Sequence, residues 1–263
     1  MARPFVTGAD VRALDQGAGP AVLVVHGGLD DGATWQRVAD ALEARHRVVR
    51  LHRRQYRDDL AGPCTVAQEA ADVVALAEAI GEPVLLVGHS SGGVVALEAL
   101  VASPARFAGA ALYEPVVHTR PGEWDTPLAR ARAARTTVGA MAVFLRDIVR
   151  VPAWQAYGAA LAIAAVPRMR RFAPHQLDDA RAVADLGVRL DAYAGIAQPV
   201  VLIGGSRSPA HLGARIRALE AVLPRARTVV LDGQGHGAHL GAPQRLAAVI
   251  GEHAAAVLHE PRG

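Results

Sequence analysis

Short apolar runs without polar alternation punctuate the first part of the chain. They fall at residues 21–25 (Ala-Val-Leu-Val-Val), 84–87 and 108–113, and residues 47–51 (Arg-Val-Val-Arg-Leu) are a further candidate strand. Runs of this kind suit strands buried on both faces, as in a parallel sheet covered by helices. Helical patterns lie between them. Thr34 is placed to cap a helix reaching Ala44. Thr65 is placed to cap another, with Val66, Glu69, Ala70, Val73 and Leu76 at helical spacing and an end near Gly81. A third begins at Ser90 and runs through Leu100. The repeating strand–helix order predicts an α/β fold with an open, mostly parallel sheet and right-handed crossovers.

That order stops between residues 117 and 196. The segment is rich in Ala and Arg and is punctuated by Pro121, Pro127, Pro152, Pro167 and Pro174. Short helices over 126–136, 138–150, 153–165 and 175–187 fit it, since a structureless connection of this length is uncommon in a compact domain. The uncharged run 153–166 is too short to span a bilayer and reads as a buried or lid helix. The strand–helix order resumes at 200–203 and continues with a helix near 209–222, a strand at 228–231 and a last helix over 243–258. The expectation is an α/β core, residues 1–116 and 197–263, interrupted by a helical insertion, residues 117–196.

Composition narrows the chemistry. The 263 residues are 51% hydrophobic and 20% charged, too apolar for a disordered chain. All 28 basic residues are Arg, and there is neither Lys nor Asn. Schiff-base chemistry, a P-loop lysine and N-glycosylation are thereby excluded. The pI of about 9.6 accompanies a net charge of only +3, an effect of Arg replacing Lys rather than a sign of nucleic-acid binding. The single cysteine, Cys64, excludes an internal disulfide framework and reads as structural. The opening Met1-Ala2-Arg3-Pro4 leads into no apolar signal segment, so a cytoplasmic location is expected, with no membrane partner. No dinucleotide fingerprint, phosphate loop or metal-ligand spacing is present, so no cofactor and no metal are expected.

Three motifs carry candidate chemistry. Gly88-His89-Ser90-Ser91-Gly92 follows an apolar strand and precedes a helix, the context that G-x-S-x-G requires. A serine on so sharp a turn needs neighbours without bulky side chains, and the turn lifts its hydroxyl above the sheet. His26-Gly27-Gly28 ends the preceding core strand. Backbone amides of Gly28 and Ser91 are the candidate pair for a developing oxyanion, with His26 orienting the loop or bordering the pocket. Gly235-His236-Gly237 follows the last strand, where a loop histidine can reach the serine as general base. His239 is its competitor, and His89 reads as structural.

In this order and spacing the motifs resemble the α/β-hydrolase-fold superfamily, in particular lipase- and esterase-like serine hydrolases, over nearly the whole chain. The resemblance implies an eight-stranded, mostly parallel sheet and a cap formed by the insertion. It also implies the chain order serine, acid, histidine, with Ser90 as nucleophile and His236 as base. A serine at the elbow sets the chain apart from relatives such as haloalkane dehalogenases and epoxide hydrolases, which carry a carboxylate there. The acid departs from the commonest family pattern. Where many members place Asp after the strand at 200–204, this chain has Ser208, which cannot stabilise an imidazolium by charge. Some members carry the acid after the strand that follows the elbow helix. Glu114 stands there, and Asp232 is the second choice.

The cap residues Met141, Phe144, Leu145, Trp154, Tyr157 and Leu161 are candidates to line the substrate pocket or to pack the cap on the core. The Arg-rich run 50–57 reads as structural ion pairing or as recognition of an anionic group. Arg168, Arg170 and Arg171 are either solvated or placed to dock a carrier protein, and a homodimer is left open. The leading expectation is a cofactor-free serine hydrolase acting on a small or medium carboxylic ester, of the EC 3.1 type, with a small-molecule acyl substrate. A thioesterase, acyltransferase, cyclase or C–C hydrolase with the same triad remains open. So does a non-catalytic ligand-binding protein on this fold.

Overall fold

The uninterrupted apolar runs become the inner strands of a single sheet. The computed structural model describes residues 2–7, 11–60 and 62–258. The outer limits expected for the core, residue 1 and residues 259–263, lie outside them. In chain order the first half comprises β1 (Arg3–Val6), β2 (Arg12–Gln16), β3 (Ala21–Val25), α1 (Gln36–Leu42), β4 (Arg47–Leu51), α2 (Val66–Ile80), β5 (Val84–His89), α3 (Ser91–Ala102) and β6 (Phe107–Tyr113). Next come α4 (Asp125–Ala133), α5 (Thr137–Val143), α6 (Ala153–Ala165), α7 (Pro167–Leu186) and α8 (Leu190–Tyr193). The chain then returns with β7 (Val200–Gly205), α9 (Ala210–Val222), β8 (Ala226–Leu231), α10 (Ala238–Gly241) and α11 (Pro243–Leu258).

The sheet has eight strands in the order β1-β2-β4-β3-β5-β6-β7-β8. β3 to β8 run parallel, while β1 and β2 add an antiparallel edge. This edge hairpin has no long apolar run and no obvious turn signature, so the hydrophobic pattern does not disclose it. Along the inner strands successive residues enter two different cores. Leu23, Leu86, Leu112 and Leu202 pack on the face that carries α2 and α3. Val22, Val24, Leu85, Val87 and Ile203 pack with Leu246 and Ile250 of α11 and Val38 and Leu42 of α1. Apolar residues on both faces are what an uninterrupted hydrophobic strand requires.

The expected caps divide. Thr65 accepts from Gln68 N–H, and the Gln68 side chain accepts from Thr65 N–H, a complete capping box on α2. Thr34 does not cap. It lies in a 3₁₀ turn (Ala33–Trp35), and both its N–H and its hydroxyl donate to Asp30.

Between β6 and β7 the chain forms the helices α4 to α8, and two of the expected helix boundaries are shifted. The helix expected over 138–150 is α5 followed by a π-helical turn, Phe144–Ile148. The helix expected from 175 begins at Pro167, and Pro174 sits inside it. A helix-interior proline costs about 3 kcal/mol. The buried face Phe172, Gln176, Asp179 and Val183 holds α7 helical through it. Among the described residues no helix is long and apolar enough to cross a membrane.

Candidate active site

The site is assembled at the carboxyl ends of β3, β5, β6 and β8. Ser90 sits between β5 and α3 with φ 55° and ψ −123°, a left-handed conformation rarely adopted outside glycine. Its N–H donates to Tyr113 O at 3.0 Å, and its carbonyl accepts from Gly93 N–H at 3.0 Å. The turn leaves no room for a side chain at Gly92, where a Cβ would stand 2.2 Å from His26 O. Ser91 opens α3, so its amide is among those a helix leaves without an internal acceptor.

Glu114 directly follows β6 and is also left-handed, with φ 45°. Its N–H donates to Ile203 O at 2.9 Å. The carboxylate is 1% exposed, with Oε1 accepting from Gly205 N–H at 2.8 Å and Oε2 standing 2.6 Å from His236 Nδ1. β6 and β7 are neighbours, so an acid on β6 reaches the strand end where the commoner family pattern places its Asp. Ser208, at that family position, leaves its buried hydroxyl without a partner. Asp232 accepts from Ser206 Oγ at 3.1 Å instead. Thus Glu114, rather than Asp232, is the carboxylate joined to His236.

Two aromatic groups hold the His236 loop. The Tyr113 hydroxyl donates to Gly235 O and accepts from Ala238 N–H at 3.0 Å. The His89 ring lies 4.9 Å from that of Tyr113, nearly parallel, and its Nε2 donates to His236 O at 3.1 Å. Burial first, then His239 and His236, push His89 well below the usual histidine range, so it stays neutral. His239 stacks on Trp35, and burial holds it down to about 4. Tyr113 escaped the sequence reading because its partners lie more than a hundred residues away.

Ser90, His236, Gly28, Ser91 and His239 border one cavity of about 310 Å³. Ser90 and His236 share it without a direct hydrogen bond, a spacing common in unliganded sites. Of the expected pocket residues, Phe144 and Leu145 line it. Met141 is fully buried in the core instead. Trp154, Tyr157 and Leu161 are 76%, 59% and 55% exposed, so they point away from it. Helical spacing placed them on one face but could not say that this face looks outward. His26 does not border the cavity. Its Nδ1 donates to Gly27 O at 2.7 Å and its Nε2 accepts from Arg53 N–H at 3.2 Å, so it fixes the loop.

A buried polar cluster ties the insertion to the elbow. The Arg53 guanidinium is fully buried and donates to Glu69 Oε2 and Asp179 Oδ1, each at 2.6 Å, and to Ser91 Oγ at 2.9 Å. Ser91 Oγ and the Tyr56 hydroxyl donate in turn to Asp179 Oδ2, at 2.6 and 2.8 Å. Burial opposes the Arg53 charge, but Asp179 and Glu69 outweigh it and hold the guanidinium well above its usual range. Gln176, one turn before Asp179, covers Gly28 so closely that a Cβ there would lie 1.8 Å from its Oε1. Neither Asp179 nor Gln176 was recognisable beforehand, since each partner comes from a different element.

The other arginines singled out in the sequence pair with neighbouring groups or face solvent. Arg50 donates to Gly32 O, Arg54 to Asp72 and Arg57 to Asp59, and none of these borders the cavity. Arg168 pairs with Asp31, and Arg171 with Asp58 at 3.1 Å, while Arg170 is exposed. Cys64 is buried and its thiol is pushed up by that burial. Among the described residues no three His, Cys, Asp or Glu side chains converge as metal ligands.

Known proteins carry the same arrangement of strands and helices. An alpha/beta hydrolase from Sphaerobacter thermophilus DSM 20745 superposes with a TM-score of 0.76 at 25% identity, over 95% of this chain and 99% of that one. A thermophilic esterase from Thermogutta terrifontis superposes with a TM-score of 0.73 at 21% identity, over 98% and 99%. Lipase LipV of Mycobacterium tuberculosis is 34% identical over 102 residues, a match covering 38% of this chain and 39% of that protein. The model of the alpha/beta hydrolase family matches residues 22–249. Strand order, elbow and family match agree, and the chain belongs to the alpha/beta hydrolase family.

Proposed function

We propose that the protein is a serine hydrolase that cleaves a small or medium carboxylic ester through an acyl-enzyme, with Ser90, His236 and Glu114 as its triad. The observation that carries this reading is the 2.6 Å contact of His236 Nδ1 with the buried Glu114, on a cavity that Ser90 also borders. Glu114 fixes the tautomer with the proton on Nδ1 and leaves Nε2 free to accept. The Ser90 hydroxyl gives its proton to Nε2 as Oγ attacks the ester carbonyl. The tetrahedral oxyanion is held by the Gly28 and Ser91 amides. Its collapse breaks the C–O bond, and His236 returns the proton to the leaving alcohol. Water then gives a proton to His236 as it attacks the acyl carbonyl, and the acyl–Oγ bond breaks as His236 returns that proton to Ser90, releasing the acid.

Glu69, Arg53 and Asp179 do not touch the reacting atoms in this scheme. They position Ser91, whose amide is one of the two donors. The insertion serves as a cap over the site, since Phe144, Leu145 and Gln176 come from it.

The test is hydrolysis of a series of 4-nitrophenyl esters by wild type and Ser90→Ala. The reading expects turnover of short and medium acyl chains, with kcat falling about 10⁵–10⁶-fold in the variant. Equal turnover by the two proteins would overturn it. Added alcohols or amines provide the second arm. Products in which they replace water would mark an acyltransferase instead.

A further inference from the structure

On the α9 side of the cavity stands a cation whose donors are only partly used. Arg215 borders the cavity, and its side chain is 3% exposed. One Nη donates to Glu123 Oε1 at 2.5 Å, while the other, shielded from solvent, has no partner. A buried donor left unpaired is costly, and a charged one more so. Arg150 lies 3.6 Å from the same Glu123 oxygen, and Arg120 adds to the positive field at Arg215. Against these arginines stands the carboxylate of Glu123.

The carboxylate already in contact, Glu123, keeps its second oxygen, Oε2, buried and without a hydrogen-bond partner of its own. Trp124 lies under the guanidinium, 5.4 Å from ring centre to Cζ. His211 also borders the cavity, and burial, with Arg215 and Arg150, holds it neutral, down to about 4. Asp30, the carboxylate on the cavity wall, is engaged by the N–H and hydroxyl of Thr34. The cavity wall also carries the apolar side chains of Phe144, Leu145, Ile148 and Val149.

We infer that Arg215 forms an anion subsite, and that the ester cleaved here carries a second, free carboxylate which docks on this guanidinium. The inference rests on the serine-hydrolase reading above and adds the substrate class. The planar fork of arginine matches a carboxylate in two parallel hydrogen bonds. A bound carboxylate gives the unpaired Nη its acceptor. The apolar wall then takes the methylene chain that joins the carboxylate to the ester.

The test compares two probes, monohexyl glutarate, an anion, and hexyl methyl glutarate, its neutral diester. Each is titrated calorimetrically into Ser90→Ala, which keeps the cavity and halts turnover. The anion is expected to bind at least about tenfold tighter, with that preference shrinking in about 0.5 M NaCl. Equal binding of the two probes overturns the inference, and this arm needs no change at Arg215. In Ser90→Ala/Arg215→Gln the preference should fall to within about threefold, and Arg215→Lys, which keeps the charge without the fork, should retain part of it. Undiminished preference in the Gln variant would overturn the assignment to Arg215. Wild-type turnover separates the two readings. Selective binding of the anion without hydrolysis of either ester would leave the subsite standing and overturn the hydrolase reading.

Discussion

Glu114 combines three features that seldom coincide in one carboxylate. It is left-handed, almost fully buried, and bonded through one oxygen to a backbone amide and through the other to an imidazole. Strain of this kind costs on the order of 1–3 kcal/mol and persists only where neighbours over-determine it. Here the Ile203 carbonyl and the Gly205 amide do so. Glu114→Gln should keep the fold but lower kcat by about 10³–10⁴-fold, because an amide neither selects the Nδ1–H tautomer nor stabilises the cation. Steady-state turnover with a circular dichroism control checks this, and near-normal kcat would refute the assignment. Ser90 and His236 could be read from the chain because each sits at a strand end marked by glycines. Glu114 was legible only through the missing acid at Ser208. Tyr113 and Gln176 were not legible, since their roles exist only once distant segments meet.

At the scale of elements, α7 is the most informative. Its proline marks a helix boundary by local rules, yet the helix runs through it because one face is anchored in the core. Asp179 on that face shares the Arg53 guanidinium with Glu69, so two buried carboxylates face one cation. The charge balance predicts an order of stabilities. Arg53→Met strands both carboxylates and should cost about 3–5 kcal/mol. Asp179→Asn leaves a neutral Arg53–Glu69 pair and should cost less, about 1–2 kcal/mol. Urea unfolding of both variants checks this, and an equal or reversed order would contradict it. The neighbouring α6 gives the opposite lesson. Its Trp154, Tyr157 and Leu161 share a face as the spacing indicated, but which face meets solvent is set by packing on α5 and α7.

Across the whole molecule, several histidines are held neutral by burial. His26 and His239 are pushed down to about 4, and His89 further. The unfolded chain takes up these protons near pH 6.5, whereas the folded one does so only near 4 or below. Between those values the unfolded state binds more protons, so this stability is complete above about 6.5 and is lost as pH falls toward 4. Each histidine adds a slope of up to about 1.4 kcal/mol per pH unit. Glu69, raised by burial, acts in the other direction, a single group against these histidines. Thermal unfolding at a series of pH values should give a steep fall in Tm across that window. A flat Tm from 6.5 to 4 would contradict the burial of these rings.

The fold at this scale was largely legible, because the six segments expected as strands become six adjacent parallel strands. The edge hairpin of β1 and β2 was not, as short half-exposed strands carry little pattern. The central claim is an activated Ser90, and intact-mass analysis after treatment with a fluorophosphonate tests it most directly. Wild type should gain one adduct and Ser90→Ala none. Folded wild-type protein that gains no adduct, or an adduct that persists in Ser90→Ala, would contradict the account.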